Sequence, residues 1–294
     1  MANTIITPAI FSNEVIRNLD RDTVFLAHTN RAYEGELKQR GDTVRVQTLP
    51  TLTFTASTIT GAGDLTNSDV GVGPGGAIAA SDFAITLENL IIDKYTEKRV
   101  TLPNIQEVQS NLSLEQKVAS RFSEGMGTLL DDQVVNQILV TQVADIPEGN
   151  KIDSGAPTAA TSGNIYARVI AMRTALRKQN VKVSNMKLFV STDVEGLLLQ
   201  ATQFTSGSND AFQVVKTGYI GMIGGVPVYV TTALDASKEM IMMAEGSVNA
   251  VLQVSDTKVT EGVDGFYTNV LAQIIWGMKI FGENAKAIAI HYNA

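Results

Sequence analysis

The sequence contains no cysteine. That excludes disulfides, thiolate metal sites and cysteine nucleophiles, and it suits a reducing compartment. Histidine is almost as scarce: only His28 and His291 occur, at opposite ends of 294 residues. Neither has a carboxylate cluster beside it in the chain. A metal centre wants two or more such ligands at defined spacing, so no metal is expected, and both histidines read as ordinary surface or interface side chains. No apolar run approaches the roughly 20 residues that span a bilayer, so no membrane is expected among the partners. The opening stretch MANTIITPAIFSNEVI lacks the basic start and apolar run of a signal peptide; the expectation is synthesis and retention in a cytoplasm. Basic charge is also short, with 23 Lys and Arg against 30 Asp and Glu and a net charge of −7. That speaks against a surface built to grip nucleic-acid phosphates. It suits a wall that lies near nucleic acid without holding it.

Catalytic signatures are missing too. There is no G-x-S-x-G and no Walker-type G-x(4)-G-K-[ST]. Asp131 and Asp132 are adjacent carboxylates, but neighbouring side chains on a helix diverge and cannot share one substrate atom. They read as a solvated face or as salt-bridge partners across an interface. Trp276 and Phe281 fall in an extended C-terminal element and read as packing. One stretch does look chemical: GVGPGGAIAA, where Gly71, Gly73 and Gly76 make G-x-G-x-x-G. A phosphate loop needs a strand before the glycines and a helix N-terminus after them. Upstream lies polar, turn-rich TGAGDLTNSDV, Pro74 removes an N–H donor, and SDFAITLENLIID downstream alternates like a strand. The nucleotide-enzyme reading survives only if a helix follows Gly76. The expectation is therefore no catalytic residue, no cofactor site and no metal site.

What the chain does contain is a distinctive order of elements. Phe11, Val15 and Leu19 suggest a short amphipathic helix within residues 9–27. DTVRVQTLPTLTFTAS alternates as a strand kinked at Pro50, and FAITLENLIIDKYTEKRVTL returns as a second extended segment. Between them lie some 20 polar, glycine-rich residues, 61–81, an unusually long excursion for a compact domain. SLEQ, from Ser113, is a capping box opening a long helix whose stripe runs from Leu114 through Phe122, Leu130 and Val134 to Leu139, ending near Val143, with Gly125 and Gly127 as a point of weakness. Ile165, Val169, Met172 and Leu176 place a second helix ending in basic RKQN. MKLFVS is a buried strand, TDVE from Thr192 caps a short helix, and GYIGMIGGVPVYVTTAL reads as a hairpin with a Gly-Gly turn. EMIMMA, FYTNVLAQIIWGMKIFGE and KAIAIHYN complete the series as strands.

This order resembles the major capsid proteins of tailed phages, an α+β fold of the HK97-like kind. The stretches that carry it are GDTVRVQTLPTLTFTA and FAITLENLIIDKYTEKRVT for an extended loop, and SLEQKVASRFSEGMGTLLDDQVVNQIL for a spine helix. KLFVSTDVEGLLLQ, GYIGMIGGVPVYVTTAL and YTNVLAQIIWGMKIFGENAKAIAI continue it. The resemblance implies an N-terminal arm over residues 1–40 and an extended loop over 41–100. It implies a peripheral domain over 101–160 and 247–283, and an axial domain over 161–246 and 284–294. It implies a non-enzymatic coat protein that assembles with itself, as hexamers and pentamers, into an icosahedral head shell around double-stranded DNA. Packaged DNA would be contacted non-specifically, in a virion assembled in the bacterial host cytoplasm. The flavour is that of coat proteins used with a separate scaffolding protein, since the chain starts directly at the arm; a portal and a decoration protein are further expected partners. In this reading Gly71–Gly76 form the permissive tip of a loop laid over a neighbouring subunit. Some relatives bond a lysine of this loop covalently to a neighbour, but no lysine lies between Lys38 and Lys94, so non-covalent contacts are expected to hold the shell. A protein-cargo nanocompartment shell shares the fold and is the alternative.

Overall fold

A computed structural model describes residues 23–33, 43–48, 86–103, 114–201, 219–234, 238–261 and 265–293. The chain forms two compact units, Val44–Leu90 on one hand and Met1–Thr43 with Ile91–Ala294 on the other. In the smaller unit, β1 (Thr43–Thr48) and β2 (Thr86–Ile91) pair as a two-stranded sheet. Along β1, half-buried Val44 and Val46 alternate with exposed Thr43, Arg45 and Gln47, the period-two pattern that the sequence showed. The tip residues 61–81 and Pro50 lie outside the described residues.

The larger unit holds two sheets. The first is antiparallel and three-stranded, in the order β3 (Lys94–Pro103), β10 (Tyr267–Lys279), β9 (Asn249–Glu261). Val270 of β10 sits between Val100 and Val259, and a bulge interrupts the β9 register between Leu271 and Gln273. The second sheet is mixed and six-stranded, in the order β4 (Lys151–Ile152), β11 (Ile288–His291), β8 (Met240–Ala244), β5 (Met186–Val190), β7 (Val226–Val230), β6 (Tyr219–Ile223). MKLFV, MIMMA and IAIH read as unbroken apolar runs because both faces of this sheet are covered. Alternation then sends successive side chains into different cores. Leu188, Val190, Met240, Met242 and Ala289 meet α2 (Ile165–Lys178) and α3 (Thr192–Gln200) on one face. Phe189, Ile241, Met243, Ile288 and Ile290 meet Phe25, the C-terminal half of α1 (Leu114–Asn136) and the inner side of β10 on the other.

The long helix is continuous through Gly125 and Gly127 and ends two residues earlier than the periodicity suggested, at Thr141, with its last turn widened into a π segment, Gln137–Thr141. Gln142 explains where it stops. Its Oε1 accepts from Gln137 Nε2 at 2.7 Å and from the Ile280 N–H at 2.6 Å, while its Nε2 donates to Ile280 O at 2.9 Å. One amide side chain thus closes the helix end onto the strand following β10. Lys238 Nζ adds a bond to Leu139 O at 2.9 Å, satisfying one of the carbonyls that every helix C-terminus leaves open.

Three local expectations change. The second extended segment is two strands, β2 and β3, broken at Ile92–Asp93. The cap of α3 is Ser191, whose Oγ accepts from the Val194 N–H at 3.3 Å, so the capping residue lies one position before Thr192. Strand β9 was not anticipated, because NAVLQVSDTKVTE mixes polar and apolar residues too evenly to announce itself. The Gly-Gly turn joining β6 and β7 does appear, with Gly224 at φ 59° and Gly225 at φ 81°, the left-handed pair that a tight hairpin requires. The proposed helix 9–27 and the Ser113 cap fall outside the described residues, apart from a 3-10 turn at Leu26–His28.

The two sides of the helix end give a direct test. Ile138 is fully buried between the sheets, while Val140, two residues on, is 67% exposed. Ile138→Ala should cost about 2–5 kcal/mol in urea unfolding, and Val140→Ala should stay within about 0.5 kcal/mol.

Candidate functional site

Five side chains that the sequence singled out as candidates for chemistry are buried or half-buried, and Asp132 alone is exposed. His28 lies on the 3-10 turn Leu26–His28, with its ring 5.6 Å from that of Phe189 and 4.8 Å from that of Tyr229. Burial first, then the Lys187 charge, lowers its pKa, with Glu245 acting the other way. His291, expected at a surface or an interface, is fully buried in β11. The reason is strand alternation combined with coverage: β11 lies inside a sheet whose faces are both packed, so no position on it reaches water.

His291 belongs to a small charged group. Arg168, on α2, ion-pairs with Asp153 and places Nη1 2.6 Å from His291 Nε2, and the Asp153 carboxylate lies 3.4 Å from the same nitrogen. Guanidinium can only donate, so Nε2 accepts and the ring proton sits on Nδ1. Burial, then the Arg168 charge, pushes the His291 pKa down to about 4. Asp153 itself takes a left-handed backbone, φ 61°, at the end of the edge strand β4. The group therefore ties edge strand, helix and C-terminal strand together. A neutral imidazole held by a cation is poorly suited to take up a proton.

Asp131 and Asp132 do diverge, but Asp131 is neither solvated nor at a surface. It is fully buried and accepts the Leu26 N–H at 2.9 Å, whereas Asp132 is exposed. The N-terminal segment makes the difference, because residues 25–30 insert against the core. Phe25 stacks on Phe189 at 4.2 Å, Asn30 exchanges backbone bonds with Val248 and Ala250, and Asn30 Nδ2 donates to Asn249 Oδ1 at 2.8 Å. No periodicity in the sequence signals such a contact over a separation of 105 residues. Trp276 and Phe281 are both buried as packing, with Lys94 Nζ 4.7 Å over the Trp276 ring.

Gly71, Gly73 and Gly76 lie outside the described residues. The described part of the chain following them is strand β2, not a helix. Among the described residues no group of three His, Asp or Glu could hold a metal ion, and no helix is long and apolar enough to cross a membrane. Large apolar side chains do stand exposed on the larger unit: Tyr95, Val140, Leu199, Met222 and, at 88% exposure, Phe266.

The His291 group yields a pH signature. The unfolded chain takes up the His291 proton near pH 6.5, and the folded one only near pH 4. The stability that depends on a neutral ring is therefore complete above about pH 6.5 and is lost as the pH falls towards 4, by about 3 kcal/mol in all. Urea midpoints measured between pH 7 and 4 should fall more steeply for the native chain than for His291→Gln.

The architecture has close counterparts. A chain from Mycobacterium phage Che8 superposes with a TM-score of 0.74 at 16% identity, over 99% of this chain and 98% of that one. The capsid of cyanophage P-SCSP1u gives a TM-score of 0.72 at 13% identity, over 98% and 93%. The capsid of a native GTA particle gives 0.64 at 12% identity, over 99% and 96%. At such identities the likeness establishes the fold, which is the HK97-like capsid fold. No curated protein matches the chain. The family model described as phage capsid protein matches residues 92–288. That match covers more than half of the sequence, from just before β3 to the first residue of β11, and it places the chain in the phage capsid protein family as a structural major capsid protein.

Proposed function

We propose that copies of this chain assemble with one another into the closed icosahedral head shell of a tailed phage, around double-stranded DNA, and that the chain performs no catalysis. The observation that carries this reading is the separation of Val44–Leu90 as its own compact unit, held by a two-stranded ribbon and lying next in sequence to a well-packed body. An isolated two-stranded ribbon is at best marginal in water, and the outer edges of a ribbon of that kind invite pairing with another chain. Laid on a neighbouring copy, the ribbon buries those edges, and symmetry repeats the contact at every subunit. The remaining assignments follow from the same reading. Residues 1–40 act as an arm, 41–100 as the extended loop, 101–160 with 247–283 as the peripheral domain, and 161–246 with 284–294 as the axial domain.

The net charge of −7 fits an inner wall that meets DNA without gripping it. No lysine lies between Lys38 and Lys94 for a loop crosslink, so non-covalent contacts, or a decoration protein, supply the strength of the shell. A separate scaffolding protein and a portal complete the set of partners, with assembly in the bacterial cytoplasm. Replacing Gly61–Ser81 by a short Gly-Ser turn should leave thermal unfolding of the subunit within a few degrees of the native chain. Stable closed shells should no longer appear by electron microscopy. Outright unfolding, or unchanged shells, would count against the strap.

A further inference from the structure

At Gly277 the space of the missing side chain is occupied by backbone. A Cβ built there would fall well inside contact distance of Ile91 O, 2.9 Å from Ile91 C and 3.1 Å from Ile92 Cα. Gly125, Gly149, Gly155 and Gly196 meet open space instead, and Gly127, Gly224, Gly225, Gly246 and Gly265 meet only side chains. The close approach is therefore a backbone crossing. The backbone of Ile91 and Ile92 passes against β10 at Gly277, and after Asp93 the chain enters the β3 register at Lys94 opposite Trp276.

The crossing is held from several sides. Ile92 is fully buried, Lys94 lies over the Trp276 ring, and Gly277 keeps its own ladder position opposite Val251 in β9. Neighbours on a strand point to opposite faces, so the vacant side of Gly277 faces away from the core that Trp276 fills. A side chain at 277 would leave that core and both ladders of β10 in place. What it would displace is the backbone of residues 91–92.

We infer that Gly277 is a positioning residue for shell assembly, a side-chain-free seat that fixes Ile91 and Ile92, the residues that follow the unit Val44–Leu90 in the chain, in every copy. The inference rests on the strap reading proposed above. A closed shell demands that each strap start from the same point, because a root displaced in one copy is displaced in all of them. Subunit folding makes no such demand, since the crossing lies at the boundary of the larger unit.

The test uses the full chain with three changes: Gly277→Ala, Gly125→Ala as a control at an exposed glycine with nothing near its Cβ, and one glycine inserted between Ile92 and Asp93 with Gly277 retained. Amide exchange at residues 91–93 of the unassembled subunit reads the seat itself. Gly277→Ala should raise it by about tenfold or more, as expected of a local opening, with global unfolding still cooperative. Closed particles counted by electron microscopy should fall about tenfold in Gly277→Ala and in the insertion variant, while Gly125→Ala assembles as the native chain does. Unchanged exchange at 91–93 in Gly277→Ala overturns the seat, whatever the particles show. Native particle yield from the insertion variant overturns its role in assembly. If Gly277→Ala fails to fold, the insertion variant decides, because it loosens the root without touching β10. Failure of the strap reading looks different: the chain truncated at 61–81 would then assemble normally while the exchange result at 91–93 still stood.

Discussion

The six-stranded sheet imposes the constraint on which the rest depends. Its strands carry apolar side chains on both faces, so each face must be covered by something of matching extent. Leu188, Val190, Met240 and Met242 find α2 and α3 close by in sequence. Phe189, Ile241, Met243, Ile288 and Ile290 have no such local partner, and they draw in elements from far along the chain: Phe25, the end of the spine helix and the inner face of β10. Each of these larger side chains contributes about 1.5–3 kcal/mol when fully buried. Covering the second face therefore both stabilises the subunit and locks the spine helix and the three-stranded sheet to it.

That covering creates polar problems, and the structure answers each with a specific group. The π turn at the end of the spine helix is closed by the Gln142 amide, bonded on one side to Gln137 and on the other to both backbone groups of Ile280. The buried Asp131 carboxylate takes the free N–H of Leu26 at the start of the inserted segment. Arg168 pairs with Asp153 and bonds the neutral ring of His291. A single change in any of these groups leaves a buried partner unsatisfied, which costs more than the bond itself contributes.

Much of this was legible in the residues themselves. Local periodicity marked both long helices, the hairpin with its left-handed glycines, and the buried strands MKLFV, MIMMA and IAIH, because these patterns report how a segment meets one apolar face. The order of those elements was enough to show the HK97-like plan. Strand β9 escaped because its polar and apolar residues do not alternate cleanly, and its place is set by pairing with β10 over its full length. The cap of α3 was misplaced by one residue because Ser191 and Thr192 are chemically equivalent until the backbone direction is known.

The sequence by itself determined composition-level exclusions, element types and their order, since each of these depends on neighbours within a turn or a strand. Only the tertiary structure decided the fate of individual polar residues. In one dimension His291 and Asp131 look like surface or interface groups; His291 is buried because both faces of its sheet are covered, and Asp131 because the segment around Leu26 packs against it. The backbone crossing at Gly277 is of the same kind. Nothing in the run IIWGMK distinguishes its glycine from a weak point in a strand, and its role appears only when Ile91 and Ile92 are brought against it from nearly two hundred residues away.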